Sequence, residues 1–299
     1  MRASLLLALG LLSGFALPGQ ASAACPPEGQ TKESLQALKA LQFTLPDTVE
    51  RQALAMGLLD CLADPDPVLR DGIAYEALTK WMRAGELDAD GMRALRDRLY
   101  GMLEEEDEAG FGRPFAALVL SEVARTDRIA AWMEPAERAA MVDAAARYLE
   151  AVDDYRGFDT EEGWRHGVAH GADWLLQLAL NQALDRGQLD RIVAAIAVQA
   201  VPTSGHAYVF GEPGRLTRPV LAAAQRGLYT EADWLAWFGA LPARLGDKSP
   251  ANYTDVIWLA RRHDLMAFFM SMYLEADQTE DAHIAQLKPA IVAALKQVP

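Results

Sequence analysis

The amino-acid sequence predicts an all-α protein, an irregular α-solenoid of stacked HEAT-like helical hairpins, with an α/α toroid as the alternative architecture. Three observations carry this prediction. Ala, Leu and Met recur at helical spacing, with Arg and Glu between them. Helix-opening signals recur along the chain. No stretch alternates apolar and polar residues convincingly enough for a half-buried strand. The nearest, His206-Ala207-Tyr208-Val209-Phe210, is short and reads as a loop between helices.

Taken in order, the spacing predicts helices near 31–42, 47–62, 67–84, 88–105, 114–125, 135–152, 161–184, 187–201, 217–227, 230–243, 251–275 and 279–297. Asp66-Pro67 opens the third with proline at the first helical position, and residues 64–71 resemble the turn-and-helix opening of a HEAT-type repeat. Glu134-Pro135 opens the sixth. Thr160-Glu161-Glu162 and Thr230-Glu231-Ala232-Asp233 each set a cap before an acidic first turn, where the helix dipole favours negative charge. Glu104–Glu108 is a charged connector. Trp234, Trp237, Phe268, Phe269 and Met270 are expected in the core and His283 at the surface. The run Arg261-Arg262-His263-Asp264 is expected on a helix face with local ion pairs. No long Gly/Ser or Pro linker interrupts the chain, so residues 24–299 are expected to form a single repeat-like domain.

The N-terminus carries Arg2, an apolar run from Leu5 to Leu17, and the small-residue site Ala21-Ser22-Ala23. Residues 1–23 therefore read as a secretory signal peptide. The expected location is outside the cytoplasm, periplasmic or secreted, with lipid anchoring through Cys25 as the alternative. No other apolar run has the roughly 18 residues needed to span a bilayer, so no transmembrane segment is expected. The formal net charge of −14 argues against nucleic acid and anionic membranes as partners. Cys25 and Cys61 are the two cysteines, and an even pair in an oxidising compartment predicts a disulfide. Closing that loop is worth about 3–4 kcal/mol in the chain-entropy picture.

One segment does not read as ordinary helix. Residues 163–175, GWRHGVAHGADWL, hold two of the five histidines. At about 100° per residue, His166, His170 and Asp173 fall within an arc of roughly 60°. Trp164, Val168, Ala172, Leu175 and Ala179 fall opposite and are expected to face the core. Gly167 and Gly171 lie between the two faces. Two glycines one turn apart cost a helix about 1 kcal/mol each, which predicts a backbone or ligand in close approach.

Asp154-Tyr155-Arg156-Gly157-Phe158 followed by Gly163-Trp164-x-His166-x-x-x-His170-Gly171-Ala172-Asp173 resembles a bacterial family catalogued only as a domain of unknown function. Glu212-Pro213-Gly214-Arg215-Leu216 is similar to that family's downstream acidic-Arg-Leu segment, with Pro213-Gly214 in place of a further acidic pair. The resemblance implies an all-helical fold over residues 60–297 and no established activity.

Three readings of the histidine stripe stay open. It is a solvated polar face, a ligand-binding face in the groove of the array, or a metal site. Histidines at i and i+4 with Asp173 suit a divalent ion such as zinc, although Gly167 stands where zinc-protease helices carry glutamate. A hydrolytic site would then draw its general base from Asp153, Asp154 or Glu212. The ligand reading adds Arg156 and Trp164 and the loop that carries His206, Tyr208, Glu212 and Arg215, with His206 expected as a third imidazole near His166 and His170. There is no Gly-x-Ser-x-Gly elbow, phosphate loop, dinucleotide fingerprint or Cys-x-x-Cys. The expected function is binding of a small molecule or protein partner through residues 154–177 and 204–215. The alternative is a metal-dependent hydrolase at His166, His170 and Asp173.

Overall fold

The computed structural model describes residues 25–246 and 250–299; the expected signal peptide lies outside the described residues. The fold is all-α apart from one two-stranded hairpin. In chain order the elements are α1 (Lys32–Ala40), α2 (Thr48–Gly57), α3 (Pro67–Leu69), α4 (Glu76–Ala84), α5 (Ala89–Glu104), α6 (Gly112–Ile129) and α7 (Pro135–Ala151). The hairpin β1 (Phe158–Asp159) and β2 (Gly163–Trp164) follows. Then come α8 (Gly167–Ala179), α9 (Arg186–Ala200), α10 (Glu212–Gln225), α11 (Glu231–Ala240), α12 (Val256–Gln278), α13 (Ala282–Ala285) and α14 (Lys288–Leu295). Arg70–Tyr75, between α3 and α4, is wound as a π-helix.

Side-chain caps set many of the helix starts. Asp66 accepts the Val68 N–H, Glu134 and Glu137 form a capping box, and Thr230 and Asp233 form another. α6, α8 and α10 differ: Phe111, His166 and Gly211 stand at their N-caps without a side-chain cap bond. α4, α6, α8, α10 and α12 pack each on the next, α5 packs on α6, and α7 on both α8 and α9. A contiguous cluster of buried apolar side chains runs from Leu35 to Ala294. Cys25 and Cys61 are joined in a disulfide, so the sulfur that a lipid anchor would use is bonded to Cys61. Among the described residues no helix is long and apolar enough to cross a membrane.

The largest departure from the sequence expectation falls at 161–184. The helix starts six residues later, at Gly167, and residues 158–164 form the hairpin. The Asp159 carboxylate accepts the N–H groups of Glu161 and Glu162, so the residues that looked like a helix cap close a turn instead. Gly163 and His166 both take left-handed backbone conformations, which the helix cannot contain. The other starts shift less. α10 opens at Glu212-Pro213, ahead of the expected 217, and the expected 279–297 helix divides into α13 and α14. Met270 is 56% exposed rather than in the core.

Candidate functional site

The hairpin is tied to the starts of the helices around it. Arg70 is fully buried and donates to the carbonyls of Asp64, Pro65 and Glu162. Arg165 donates to the Ala109 carbonyl and pairs with Glu162. Both guanidinium groups lie over the Phe111 ring, 4.0 and 4.1 Å from its centre. The Arg156 and Gly157 carbonyls accept the N–H groups of His166 and Arg165, which delivers the chain into α8.

His166 and His170 meet edge to face, ring centres 5.9 Å apart. The closeness expected from helical spacing is present, but it arises at a left-handed N-cap rather than along one helix face. His170 Nδ1 lies 3.1 Å from the Pro114 carbonyl. A carbonyl only accepts, so Nδ1 carries the proton and Nε2 holds a lone pair whenever the ring is neutral. Burial, with the neighbouring His166 adding to it, lowers the pKa of His170 to about 3. Burial and the Arg215 charge lower that of His166 to about 4, against the favourable Phe210 carbonyl. Both rings are therefore neutral at pH 7.

His166 Nε2 is buried without a hydrogen-bond partner. The nearest carboxylate oxygen, on Glu212, is 3.8 Å away, and a neutral ring makes no ion pair with it. Glu212 itself is buried at the start of α10 and accepts the Phe210 N–H. Above His166 lies an aromatic group. Trp164 stacks on it at 4.8 Å, Phe158 meets Trp164 at 5.1 Å, and Phe210 meets Trp164 edge-on at 5.8 Å. Phe210 in turn sits where any Gly157 side chain would be. Trp164, expected in the core, is 37% exposed, as are Phe158 at 47% and Val209 at 69%. Leaving the helix put it there. Val168, Ala172, Leu175 and Ala179 remain on the helix and are buried as expected.

The other expected site residues divide. Asp173 and Arg215 form an ion pair linking α8 to α10; burial raises the Asp173 carboxyl pKa, outweighing the opposing Arg215 charge. Arg156 holds Asp154 and the Glu108 carbonyl. His206 does not join the other imidazoles: its ring stacks on Tyr155, 5.5 Å away and 13° from parallel. Tyr208 is a buried anchor whose hydroxyl bonds to Gln199, and its N–H donates to Asp264.

The metal set does not assemble. His170 Nδ1 faces the Pro114 carbonyl, Asp173 faces Arg215, and among the described residues no group of three or more His, Cys, Asp or Glu side chains stands where it could hold an ion.

Some residues of this region were not among the expected site residues. Phe158 and Phe210, inside the two expected binding segments, complete the aromatic group. Asp264, expected on a charged helix face, is buried with Oδ2 unpartnered, and burial raises its pKa to about 6. Its neighbour Arg261 bonds to the Pro202 and Arg244 carbonyls and Arg262 to a main-chain oxygen of Pro299, rather than to nearby acidic side chains.

No curated protein and no solved structure matches the chain. A family model described as "Protein of unknown function (DUF2785)" matches residues 99–274, from inside α5 to near the end of α12. That span exceeds half of the chain and contains the hairpin, both histidines and the α8–α10 ion pair. The chain belongs to the DUF2785 family of proteins of unknown function.

Proposed function

We propose that this protein is an exported helical-repeat binding module that takes a small molecule or protein partner on the hairpin face, where β1, β2, the start of α8 and the 209–212 loop meet. One observation carries the reading: exposed aromatic rings cover an imidazole nitrogen that is buried and unbonded. An unmet buried polar atom costs about 1–3 kcal/mol, and native proteins keep few of them. A partner that sits on Phe158, Trp164 and Val209 and reaches His166 Nε2 removes that cost while covering apolar surface. The Cys25–Cys61 disulfide supports the exported setting.

The test is a thermal-shift screen of small aromatic amides and alcohols, followed by NMR on histidine-labelled protein. Ligands of this face move the His166 ring signals, and their stabilisation disappears in Trp164→Ala. If every stabilising compound acts equally on Trp164→Ala and His166→Asn, the binding face lies elsewhere.

A further inference from the structure

A cleft of about 730 Å³ opens between α5 and α7, within the roughly 300–1,000 Å³ typical of small-molecule sites. α5 packs on α6, and α7 on α8 and α9; Glu137 of α7 pairs with Arg93 and Arg96 of α5, and the cleft lies beyond that link, between Tyr100–Glu104 and Ala140–Ala151. One wall is a stripe of α7, on which Ala140, Ala144, Arg147, Tyr148 and Ala151 recur at spacings of three and four. Its alanines are too short to fill the gap. Opposite stand Tyr100 and Leu103 of α5. Buried Trp174 has its ring centre 6.3 Å from that of Tyr100 and 6.5 Å from that of Tyr148.

The lining carries four carboxylates, Glu104, Asp107, Asp153 and Asp154, and two arginines, Arg113 and Arg147. Asp107 already accepts the N–H groups of Gly110, Phe111 and Arg113, and Asp154 is held by Arg156. Arg113 uses only Nε, on the Glu105 carbonyl. Among the described residues no carboxylate lies within ion-pairing distance of Arg113 or Arg147. In a chain with 42 acidic and 28 basic residues, unpaired Glu104 and Asp153 are simple surplus, whereas two unpaired arginines at one cleft are informative. The Tyr100 hydroxyl is buried in the wall with no partner.

The geometry points to a binding site for a small organic carboxylate in this cleft, its anionic end on Arg147 and Arg113 and its apolar body against Ala140, Ala144 and Leu103. Arginine suits this task because its planar fork matches a carboxylate. The cleft adjoins the hairpin face at Gly167 but is not lined by Trp164 or His166, and the inference does not rest on that reading.

Calorimetric or NMR titration of the full chain with benzoate and octanoate tests it, with benzamide, benzylammonium and inorganic phosphate as controls. The expected result is saturable binding of at least one carboxylate, weakened by about tenfold or more in Arg147→Gln, abolished in Ala144→Trp and unchanged in Trp164→Ala. Arg147 is exposed, so its replacement decides the matter even if Ala144→Trp fails to fold. The inference is overturned if neither carboxylate saturates by about 10 mM, or if Arg147→Gln binds like the parent. It is equally overturned if a control binds as tightly as the carboxylates, or if Trp164→Ala abolishes binding.

Discussion

Trp164 and His166 stack ring on ring, centres 4.8 Å apart and planes 24° apart, at the point where the hairpin passes the chain to α8. The stack requires His166 to hold φ at 58°, a conformation that β-branched residues avoid. His166→Asn and His166→Val both remove the ring, but only asparagine tolerates the left-handed backbone. The valine variant is expected to be less stable than the asparagine variant by about 1–2 kcal/mol, read from urea midpoints. Equal midpoints would show that the backbone at 166 is free to relax.

Acid should destabilise the fold in a defined window. Above pH 6.5 His166 and His170 are neutral in both the folded and unfolded chain. As pH falls below that value the unfolded chain takes up protons, while the folded rings stay neutral down to about 4 for His166 and about 3 for His170. Stability therefore falls with pH, by up to about 1.4 kcal/mol per unit for each ring. Asp264 works the other way. Its folded pKa is about 6 against an ordinary 3.8, so between these values the folded state holds the extra proton and gains stability as pH falls. Urea unfolding from about pH 7 to about pH 5 should show a shallower loss in His170→Gln and a steeper one in Asp264→Asn. A parent slope that neither change alters would refute these assignments.

The two helix glycines mark a close approach, but of side chains, chiefly from α7, rather than of the backbone or ligand expected. A side chain on Gly171 would begin 3.0 Å from Tyr148 and 3.1 Å from Leu149, and one on Gly167 would begin 3.3 Å from the Tyr148 hydroxyl. Gly171→Ala gains about 1 kcal/mol of helix propensity and loses a comparable amount to crowding, so its thermal midpoint should stay near the parent's. Gly171→Leu has no such offset and should cost about 1–3 kcal/mol. Gly157→Ala is harsher still, since the new carbon would fall 2.0 Å from the Phe210 ring. Phe210 must leave Trp164, which proton NMR of the aromatic region would register.

Helix content was legible because the chain writes it locally: Asp66-Pro67, Glu134-Pro135 and Thr230 start helices where apolar spacing begins. The hairpin was not, because Thr160-Glu161-Glu162 has the composition of a helix cap and only the Asp159 carboxylate decides otherwise. Glu212-Pro213 is legible as a helix start, since it repeats the Glu-Pro opening of α7, although apolar spacing alone points to 217. Asp264 could not be read at all. Its partner, the Tyr208 N–H, is 56 residues away, and a lone aspartate after two arginines and a histidine looks solvated. His206 failed for a similar reason. A loop's landing point is set by what it packs on, here the Tyr155 ring.

The zinc reading gives the last prediction. A structural or catalytic zinc takes three or four N, O or S donors at about 2 Å in tetrahedral array. His170 offers one free lone pair, but its Nδ1 is fixed on Pro114, so the ring cannot turn without breaking that bond. Asp173 would have to abandon Arg215 and leave a part-buried guanidinium without its anion. His166 is held by the Trp164 stack and by the backbone bond to Arg156. Each step opposes assembly. A ligand present at 100 times its dissociation constant stabilises a fold by about 2.7 kcal/mol, enough to raise the thermal midpoint measurably. Excess zinc is therefore expected to shift the parent and His170→Ala by the same small amount or not at all. A rise in the parent that His170→Ala lacks would mean that the ion itself draws the donors together, and the hydrolase reading would displace the binding one.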